Sequence, residues 1–518
     1  MSHFNWLLDG SIVGLYLLAT MIAGVMVRKY VSRVDHFLLA GRELNVYLGI
    51  ASLAATEFGI VTAMYTAQAG YTRGFAGAIP GLCNALAMFL VGWTGFCVKP
   101  LRDAGVMTIP ELFEQRYGKF VRWLSGVVIV LGGLLNMGVF LRVGGQFLVV
   151  CCGMDLRYLE IAMTVLLLGV AIYTILGGML SVLVTDFLQF VVMSAGLLIV
   201  TFLVLGQIGW ENIVATVQTQ FGAGGFNPFL PPDLGWPFVL SNLLVNGAAV
   251  LTWQAVIARL LAARDTRTGR RVYTGTAFFF ACRWIIPGLW GIAALAMVEP
   301  AIVQKIAGQF GEKDGSLFAM PYLLSQIVPA GMMGILIAAM LAADMSTDSS
   351  YMLTWGSVIY NDILAPFRKK PWPEKKGILV NRFIIALIGV FLLFWGLWYK
   401  LEGNLWEYLQ LTGTIYLASM SVLLIACCYW KRANNWGAIA AIVVGAALPV
   451  LTLSLNLFVK VPVADAAGKI TERGWVAHHL GEHWVTVLTF AATGLAMILG
   501  SLLKPVVRSR ANATAVQP

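Results

Sequence analysis

Residues 328–360 read VPAGMMGILIAAMLAADMSTDSSYMLTWGSVIY, an apolar stretch with two acids and a row of hydroxyl side chains at its centre. The stretch is long enough to cross a bilayer as a helix, which needs roughly 20 mainly apolar residues. A charge in the middle of such a helix costs about 2.5–3.5 kcal/mol on the insertion scale. The sequence therefore predicts a membrane helix whose polar centre has a function.

The whole chain has the composition that this stretch suggests. Of its 518 residues, 59% are hydrophobic and 12% are charged, whereas soluble domains carry about 25% charged residues. This composition excludes a soluble enzyme, a disordered chain and a fibrous repeat, and it favours a polytopic helical membrane protein.

Further stretches along the chain are long and apolar enough to be membrane spans, and we count thirteen in all. We therefore predict an all-α transmembrane fold with 13 transmembrane helices. Their approximate limits are 9–27, 45–70, 76–98, 123–150, 158–176, 179–206, 237–260, 272–298, 328–360, 380–399, 405–429, 436–458 and 484–503.

The distribution of basic residues predicts the orientation of these spans, because cytoplasmic loops carry an excess of Lys and Arg. With the N-terminus outside, 24 basic side chains fall in inside segments and 8 in outside segments. This interpretation puts the C-terminal tail, residues 504–518, in the cytoplasm. It also explains the net charge of +10 by basic cytoplasmic loops, so we expect no nucleic-acid partner. The expected location is a cell membrane, in our interpretation a bacterial inner membrane.

The centre of the ninth span holds two neighbouring patches of oxygen atoms. Residues at i, i+3 and i+4 share a helix face, so Ala343, Ser346 and Thr347 form one patch. Ser346, Ser349 and Ser350 form the next. Hydroxyl and carbonyl oxygens suit a hard cation, although hydrogen bonding between helices would also explain them.

Three acids accompany these patches. Asp344 and Asp348 are four residues apart in the ninth span, and we expect them to face a water-filled vestibule rather than the ion. Asp186, near the start of the sixth span, could supply negative charge for a cation in the second patch. The alternative is an acid at a helix start, stabilised by the helix dipole.

The second span contains Ala-Ala-Thr-Glu-Phe-Gly at residues 54–59. Small residues, a glycine and an acid in mid-span indicate a break in the helix. A broken helix frees backbone carbonyls, which can coordinate a cation where they line a cavity. The alternative is a packing face of small residues with Glu57 in an ion pair elsewhere.

Together these motifs resemble the sodium/solute symporter family, whose members carry proline, pantothenate, sugars, sialic acid, monocarboxylates or choline. The pattern Gly-Gly-x-x-Ser-Val-x-x-Thr-Asp-x-x-Gln at 177–189 is similar to the family signature. Shorter resemblances lie at 40–42, 107–112 and 253–263, and the thirteen spans match the family in number.

The resemblance implies a leucine-transporter-type inverted-repeat fold in a single transporter domain, residues 1–503. Residues 45–206 would be the first repeat of five helices and residues 237–429 the second. The helix at 9–27 would precede them, and two helices within 436–503 would follow. The sequence itself does not reveal the repeat.

The resemblance also implies two sodium ions, held by backbone carbonyls and by hydroxyl and carboxylate oxygens. The implied ligands of sodium site one are the carbonyls of Ala55, Phe58 and Ala343 with the hydroxyls of Ser346 and Thr347, and those of sodium site two are Asp186, Ser346, Ser349 and Ser350.

Five residues are implied substrate contacts: Glu57, Thr62, Arg142, Asn246 and Trp253. Asn246 corresponds to a sugar-binding asparagine and Trp253 to a stacking aromatic of choline transporters. Arg142 resembles an arginine that holds a carboxylate, unless it pairs with Glu57 or another acid. The resulting expectation is a carboxylate or zwitterion, such as an amino acid, sialic acid or monocarboxylate, with a sugar or choline-type solute as the alternative.

The expected function is secondary active symport of a small organic solute with sodium by alternating access. A membrane enzyme with Glu57 and Asp186 as acid and base is a competing interpretation. The chain has no His-Glu-x-x-His, Gly-x-Ser-x-Gly or phosphate-loop motif, so we expect no catalytic residues. Proton coupling and a transporter-like sensor are further alternatives.

Overall fold

The computed structural model of the protein describes residues 2–30, 33–231, 234–370, 372–399, 404–464 and 470–504. The predicted tail falls almost wholly outside the described residues, so its location stays a prediction. Within the described residues the chain is helical, apart from loops and one two-stranded sheet.

The first half of the chain forms helices α1 to α11, up to the middle of the sequence. Their bounds are α1 (Leu8–Met26), α2 (Val34–Leu39), α3 (Val46–Thr56), α4 (Ile60–Arg73), α5 (Ile79–Thr94), α6 (Val98–Asp103), α7 (Ile109–Tyr117), α8 (Lys119–Met137), α9 (Phe140–Cys152), α10 (Leu159–Ile208) and α11 (Trp210–Phe221).

The second half continues with eleven more helices and the sheet. The bounds are α12 (Gly235–Thr252), α13 (Gln254–Ala262), α14 (Thr266–Met297), α15 (Pro300–Phe310), α16 (Ala319–Ile327), α17 (Met332–Val358), α18 (Glu374–Trp398), α19 (Leu405–Tyr429), α20 (Asn435–Phe458), β1 (Lys460–Ala464), β2 (Ile470–Gly474), α21 (Trp475–His479) and α22 (Glu482–Leu503).

Short turns of other helix types connect several of these elements. A π-helix, Ile359–Leu364, extends α17. The 3-10 turns are Val27–Tyr30, Ala40–Arg42, Gly74–Ala78, Leu156–Tyr158, Gly222–Gly225, Gly315–Phe318 and Ala365–Phe367.

Eleven helical segments among the described residues are long and apolar enough to cross a membrane. Two of these segments each contain parts of two expected spans: Ile60–Thr94 and Leu156–Ile208. In the second, α10 changes direction at Gly178 without ending, with φ 54°. A Cβ there would lie 2.5 Å from the carbonyl oxygen of Phe37, so this close approach requires glycine. The number thirteen stays a prediction.

Two of the buried spans are interrupted near their middle. The break predicted in the second span is confirmed, because α3 ends at Thr56 and α4 begins at Ile60, with Gly59 extended at ψ 174°. The expected span at 237–260 is also interrupted, at Trp253, whose ψ of 121° separates α12 from α13. The sequence analysis did not predict this second break.

Helix α17 lies at the centre of the bundle. Its side chains are buried almost all round the helix, and it packs against α10, α1 and α3. Helix α14 packs against α4 and α5. Large apolar side chains such as Phe202 of α10 and Phe383 of α18 are exposed on the outer faces. Such an arrangement is typical of helices surrounded by lipid.

Short elements occupy the three longer polar stretches of the sequence. Helix α11 lies in 207–236, helices α15 and α16 lie in 299–327, and the sheet with α21 lies in 459–483. Strands β1 and β2 are antiparallel. That residues 1–503 form a single transporter domain stays a prediction.

Candidate functional site

A cavity lies between the two interruptions, among α4, α5, α12, α14 and α19. Its wall combines amides, aromatic rings and one ion pair. Among the lining residues are the amides Asn84, Asn136, Asn246 and Gln410, the aromatic residues Tyr65, Phe140, Trp253, Phe280, Tyr351 and Trp406, and the charged residues Glu57 and Arg283.

Glu57 in the first interruption pairs with Arg283 of α14. Arg283 Nη1 donates to the backbone carbonyl of Glu57 at 2.6 Å and lies 3.1 Å from Glu57 Oε2. Both side chains are buried, at 9% and 8% exposure. The charged lining therefore carries a carboxylate and a guanidinium that neutralise each other, so Glu57 is ion-paired as well as lying in a broken helix.

Four polar atoms on the cavity-lining residues are buried and have no hydrogen-bond partner. Two are acceptors, Glu57 Oε1 and Asn84 Oδ1, and two are donors, Arg283 Nε and Gln410 Nε2. Buried polar groups in proteins are nearly always hydrogen-bonded, to protein, water or ligand. These atoms therefore indicate where a polar ligand or water would bind.

The expected substrate contact Asn246 lies on the cavity wall, but its amide is used within the protein. Asn84 Nδ2 donates to Asn246 Oδ1 at 2.8 Å. Asn246 Nδ2 in turn donates to the backbone carbonyl of Asn242 at 2.8 Å. Asn246 thus orients the amide of Asn84, whose oxygen is left without a partner.

Thr62 and Trp253 also line the cavity, as the sequence analysis expects of substrate contacts. Thr62 Oγ1 lies 3.5 Å from the carbonyl oxygen of Glu57. Trp253 Nε1 donates to the hydroxyl of Tyr351 at 2.9 Å, and its ring stacks on Tyr416 with centroids 5.8 Å apart.

Arg142 is not among the residues that line the cavity. Its Nε lies 3.6 Å from Glu312 Oε1, and its Nη2 donates to the carbonyl of Phe310 at 3.4 Å. The structure gives Arg142 an acid partner instead of a place on the cavity wall. The carboxylate expectation had rested on this side chain.

The implied ligands of sodium site one lie where α17 contacts the first interruption. Thr347 Oγ1 donates to the carbonyl oxygens of Thr56 and Ala343, at 2.8 and 3.1 Å. The backbone N–H of Phe58 donates to the carbonyl of Ala55 at 3.3 Å. Backbone carbonyls of the break and the hydroxyl of Thr347 therefore meet, and Thr56 joins them although the sequence analysis did not name it.

The implied ligands of sodium site two surround the buried carboxylate of Asp186. Ser346 Oγ donates to Asp186 Oδ1 at 2.6 Å, and Ser52 Oγ donates to Oδ2 at 2.5 Å. Ser349 Oγ donates instead to the backbone carbonyl of Ser346 at 3.1 Å. Ser346, which both sites were expected to share, thus points towards Asp186.

Arg259 of α13 provides the counter-charge of Asp186. Its guanidinium is 0% exposed and lies 3.0 Å from Asp186 Oδ2. It also donates to the hydroxyls of Ser52 at 3.0 Å and of Thr56 and Ser350 at 2.6 Å. The sequence analysis used Arg259 only as part of a family motif. Burying an ionised acid is costly without a cationic partner, but the sequence does not reveal which residue is the partner of Asp186.

Asp344 and Asp348 do not face a water-filled vestibule, so that expectation is wrong. Their exposures are 2% and 3%. A Cβ on Gly144 of α9 would lie 3.2 Å from Asp344 Oδ2, so α9 covers this side of α17 closely.

The sequence analysis missed Asn84, Asn136, Gln410 and Arg283 as parts of the cavity wall. All four are polar residues inside apolar spans, and such residues usually face the interior of a helix bundle. The rule that polar residues inside a span face the interior of the bundle therefore selects these four residues as well as the acids and Arg142.

Comparison with known proteins gives a consistent result. The sequence model of the sodium:solute symporter family matches residues 37–445. The sodium/glucose cotransporter 4 of Danio rerio is 28% identical, covering 84% of this chain and 70% of the relative. The sodium/myo-inositol cotransporter of Bos taurus is 25% identical, covering 96% of this chain and 73% of the relative.

A solved structure shares the fold. The substrate-bound outward-open state of a sodium-coupled sialic acid symporter superposes with a TM-score of 0.77 at 18% identity, covering 96% of this chain and 98% of that chain. This likeness supports a leucine-transporter-type helical fold.

We expect Arg259→Ala to destabilise the protein strongly, because it leaves the carboxylate of Asp186 buried and unpaired. Breaking a buried ion pair from one side costs about 3–5 kcal/mol. The thermal unfolding midpoint of the purified protein in detergent measures the effect. The double replacement Asp186→Asn with Arg259→Met should recover much of the loss.

The control is Arg157→Ala, since Arg157 pairs with Asp155 on the surface with both side chains more than half exposed. Its midpoint should stay close to that of the wild type. Equal midpoints for Arg259→Ala and Arg157→Ala would contradict the importance of the buried pair.

Proposed function

The chain belongs to the sodium:solute symporter family, and from this premise we propose that it imports a small, neutral, polyhydroxylated solute together with sodium. A sugar or an inositol is the solute class that the cavity fits best. The observation that carries this proposal is a cavity of zero net charge whose wall has two unpartnered donors and two unpartnered acceptors.

The charge balance of the cavity argues against a carboxylate substrate. Glu57 and Arg283 neutralise each other at 3.1 Å, and Arg142 is engaged with Glu312. A carboxylate would therefore add a negative charge with no cation left to pair with it, and burying an unpaired charge is costly. A hydroxyl group adds no charge.

The hydrogen-bonding pattern favours hydroxyl groups for a second reason. A hydroxyl both donates and accepts, so neighbouring hydroxyls of one solute can serve Glu57 Oε1 and Arg283 Nε together. The rings of Tyr65 and Trp406, with centroids 5.1 Å apart, add an apolar wall. Ligand cavities commonly combine such a wall with a few placed polar groups. The sugar and inositol cotransporters among the relatives support the same class.

A zwitterion is the second candidate. A solute with a carboxylate and an ammonium could use Arg283 for the first and Glu57 for the second, which keeps the net charge at zero. The Glu57–Arg283 pair favours this candidate, but it would have to open, whereas hydroxyl groups can bind the two free atoms without separating it.

For the first sodium ion we propose the contact between the broken span and α17. Its ligands would be the carbonyls of Ala55, Phe58 and Ala343 and the hydroxyls of Ser346 and Thr347. The hydrogen bonds from Thr347 to the carbonyls of Thr56 and Ala343 support this position. They bring oxygen atoms of two separate helices within reach of one cation, and such oxygens suit a hard ion.

For a second sodium ion we propose the Oδ1 side of Asp186, with Ser346, Ser349 and Ser350. Arg259 contacts Oδ2 of this carboxylate, whereas Oδ1 accepts a hydrogen bond from the hydroxyl of Ser346. An ion there would require Ser349 to turn from its bond to the backbone of Ser346. Residue Ser350 would have to be shared with the guanidinium.

Transport then follows from linkage between ion and solute. Sodium that bridges the interruption and α17 stabilises one arrangement of the helices and completes the solute cavity. Each sodium ion that moves inward contributes about 2.3 kcal/mol per 100 mV of membrane potential. The two interruptions support our proposal that residues 45–206 and 237–429 are inverted repeats, because each lies in the first span of its repeat.

The location that we propose is a cell membrane, in a bacterium its inner membrane, with the N-terminus outside and the C-terminal tail inside. The basic side chains of the loops support this orientation. Thirteen spans, an odd number, would put the two termini on opposite sides of the membrane, as this orientation requires.

The proposed solute class can be tested by uptake into proteoliposomes with an inward sodium gradient. A panel of glucose, myo-inositol, proline, pyruvate, sialic acid and choline should give sodium-dependent uptake of a neutral polyol. Potassium in place of sodium should abolish it. Uptake of only a carboxylate or only choline would contradict the charge argument. Asn84→Ala should raise the KM of the accepted solute about 2–10-fold, the value of one neutral hydrogen bond.

The number of sodium ions can be tested by measuring the reversal potential of solute flux at known gradients. We expect two sodium ions per solute in the wild type and one in Ser349→Ala, which removes a proposed ligand and leaves the Asp186–Arg259 pair intact. Thr354→Ala is the matched control, because that hydroxyl donates to the backbone of its own helix at Tyr351. A measured stoichiometry of one sodium ion per solute in the wild type would contradict the second sodium site. Arg259 would then be the only cation at Asp186.

A further inference from the structure

The side chain of Arg283 contacts the interruption of the second span at two places, the backbone carbonyl and the carboxylate of Glu57. Its Nη1 donates to the carbonyl oxygen of Glu57 at 2.6 Å, a shorter contact than the 3.1 Å to the carboxylate. This carbonyl belongs to the peptide bond that joins Glu57 to Phe58. The arginine is therefore attached to the same short segment that supplies the proposed carbonyl ligands of sodium.

Helix α17 contacts the same segment at the neighbouring carbonyl. Thr347 Oγ1 donates to the carbonyl oxygen of Thr56 at 2.8 Å, one residue before the carbonyl that Arg283 contacts. A Cβ on Gly59 would lie 2.9 Å from Thr347 Oγ1. The three residues between α3 and α4 thus lie between an arginine of the cavity wall and a threonine of the proposed sodium site.

The hydrogen bonds of Arg283 and Glu57 are incomplete. Its Nε is buried without a hydrogen-bond partner, and so is Oε1 of Glu57. Phe280 lies beneath the guanidinium, with its ring centroid 4.4 Å from Arg283 Cζ, and restricts its movement on that face. A solute that binds both free atoms would fix the arginine and the carboxylate relative to each other.

We propose that Arg283 is a positioning residue that couples the solute to sodium, a role that rests on the proposed function. Solute hydroxyls on Arg283 Nε and Glu57 Oε1 hold the guanidinium against the carbonyl of Glu57. This contact orients the neighbouring carbonyls of Ala55 and Phe58, which bind sodium together with Thr347. Sodium binding orders the same segment through its carbonyls and Thr347 and so favours the solute.

The coupling has a reciprocal consequence. Saturating solute should lower the sodium concentration for half-maximal binding by the same factor by which saturating sodium lowers the Kd of the solute, and such factors are typically about 5–150. Arg283→Gln keeps a polar side chain, but this side chain cannot contact the carbonyl, the carboxylate and the solute at the same time. The coupling factor should therefore fall to about 1. Arg283→Lys retains one cationic donor and should keep part of it.

The matched control is Gln410→Ala. Gln410 also lines the cavity with an unpartnered donor, but no hydrogen bond joins its side chain to the interruption. This variant should weaken solute binding and keep the coupling factor of the wild type. If Arg283 only contacts the solute, Arg283→Gln should behave like Gln410→Ala: solute binding should weaken and the coupling factor should stay at the wild-type value.

The experiment measures thermal stabilisation of each purified variant over a matrix of sodium and solute concentrations, with the solute that the wild type transports. A coupling factor near 1 in Arg283→Gln, with the wild-type factor in Gln410→Ala, supports the proposal. A wild-type factor in Arg283→Gln overturns it and leaves sodium symport intact. If Arg283→Gln does not fold, the Arg283→Lys variant decides: a reduced factor supports the proposal, and an unchanged factor overturns it.

The proposed function fails in a different way. It fails if the wild type takes up no solute of the panel with sodium, whatever the behaviour of the variants.

Discussion

The structure depends on how the backbone groups freed at Glu57–Gly59 are satisfied inside the bundle. Backbone polar groups within a membrane protein must find partners in the protein or line a cavity. Here the carbonyl of Thr56 accepts from Thr347, and the carbonyl of Glu57 accepts from Arg283. The interruption is therefore stabilised by side chains of α17 and α14, one at the proposed sodium site and the other in the solute cavity. The same short segment therefore contacts both proposed binding sites.

Buried ion pairs determine what can bind in the remaining space. Glu57 pairs with Arg283, Asp186 with Arg259, and Arg142 with Glu312. Each pair removes a charge that the sequence alone would leave available to a ligand. The first makes the cavity neutral, the second gives Asp186 a cationic neighbour, and the third gives Arg142 an acid partner. Burial of such pairs is costly unless further hydrogen bonds satisfy them, and the hydroxyls around Arg259 have that effect.

Local sequence signals predicted the helical membrane fold and the first interruption, because span length, small residues and a mid-span acid are features of neighbouring residues. The second interruption, at Trp253, has no glycine or proline next to it in the sequence. It was therefore not predicted. The partners of Glu57, Asp186 and Arg142 are 226, 73 and 170 residues away, respectively, so no periodicity could identify them. Asp344 and Asp348 were expected to face water, whereas both are buried and α9 lies against Asp344. The oxygen atoms of the proposed sodium sites could be named from the family resemblance, but their hydrogen bonds could not.

The central claim is that Thr347 and the broken span bind sodium together. Equilibrium binding of radioactive sodium to the purified protein, with and without the transported solute, tests it most directly when the wild type is compared with Thr347→Val. This replacement removes the hydroxyl and keeps a β-branched side chain. We predict saturable sodium binding in the wild type, enhanced by solute, and a loss of the solute-enhanced binding in Thr347→Val. Identical sodium binding by the two proteins would contradict it.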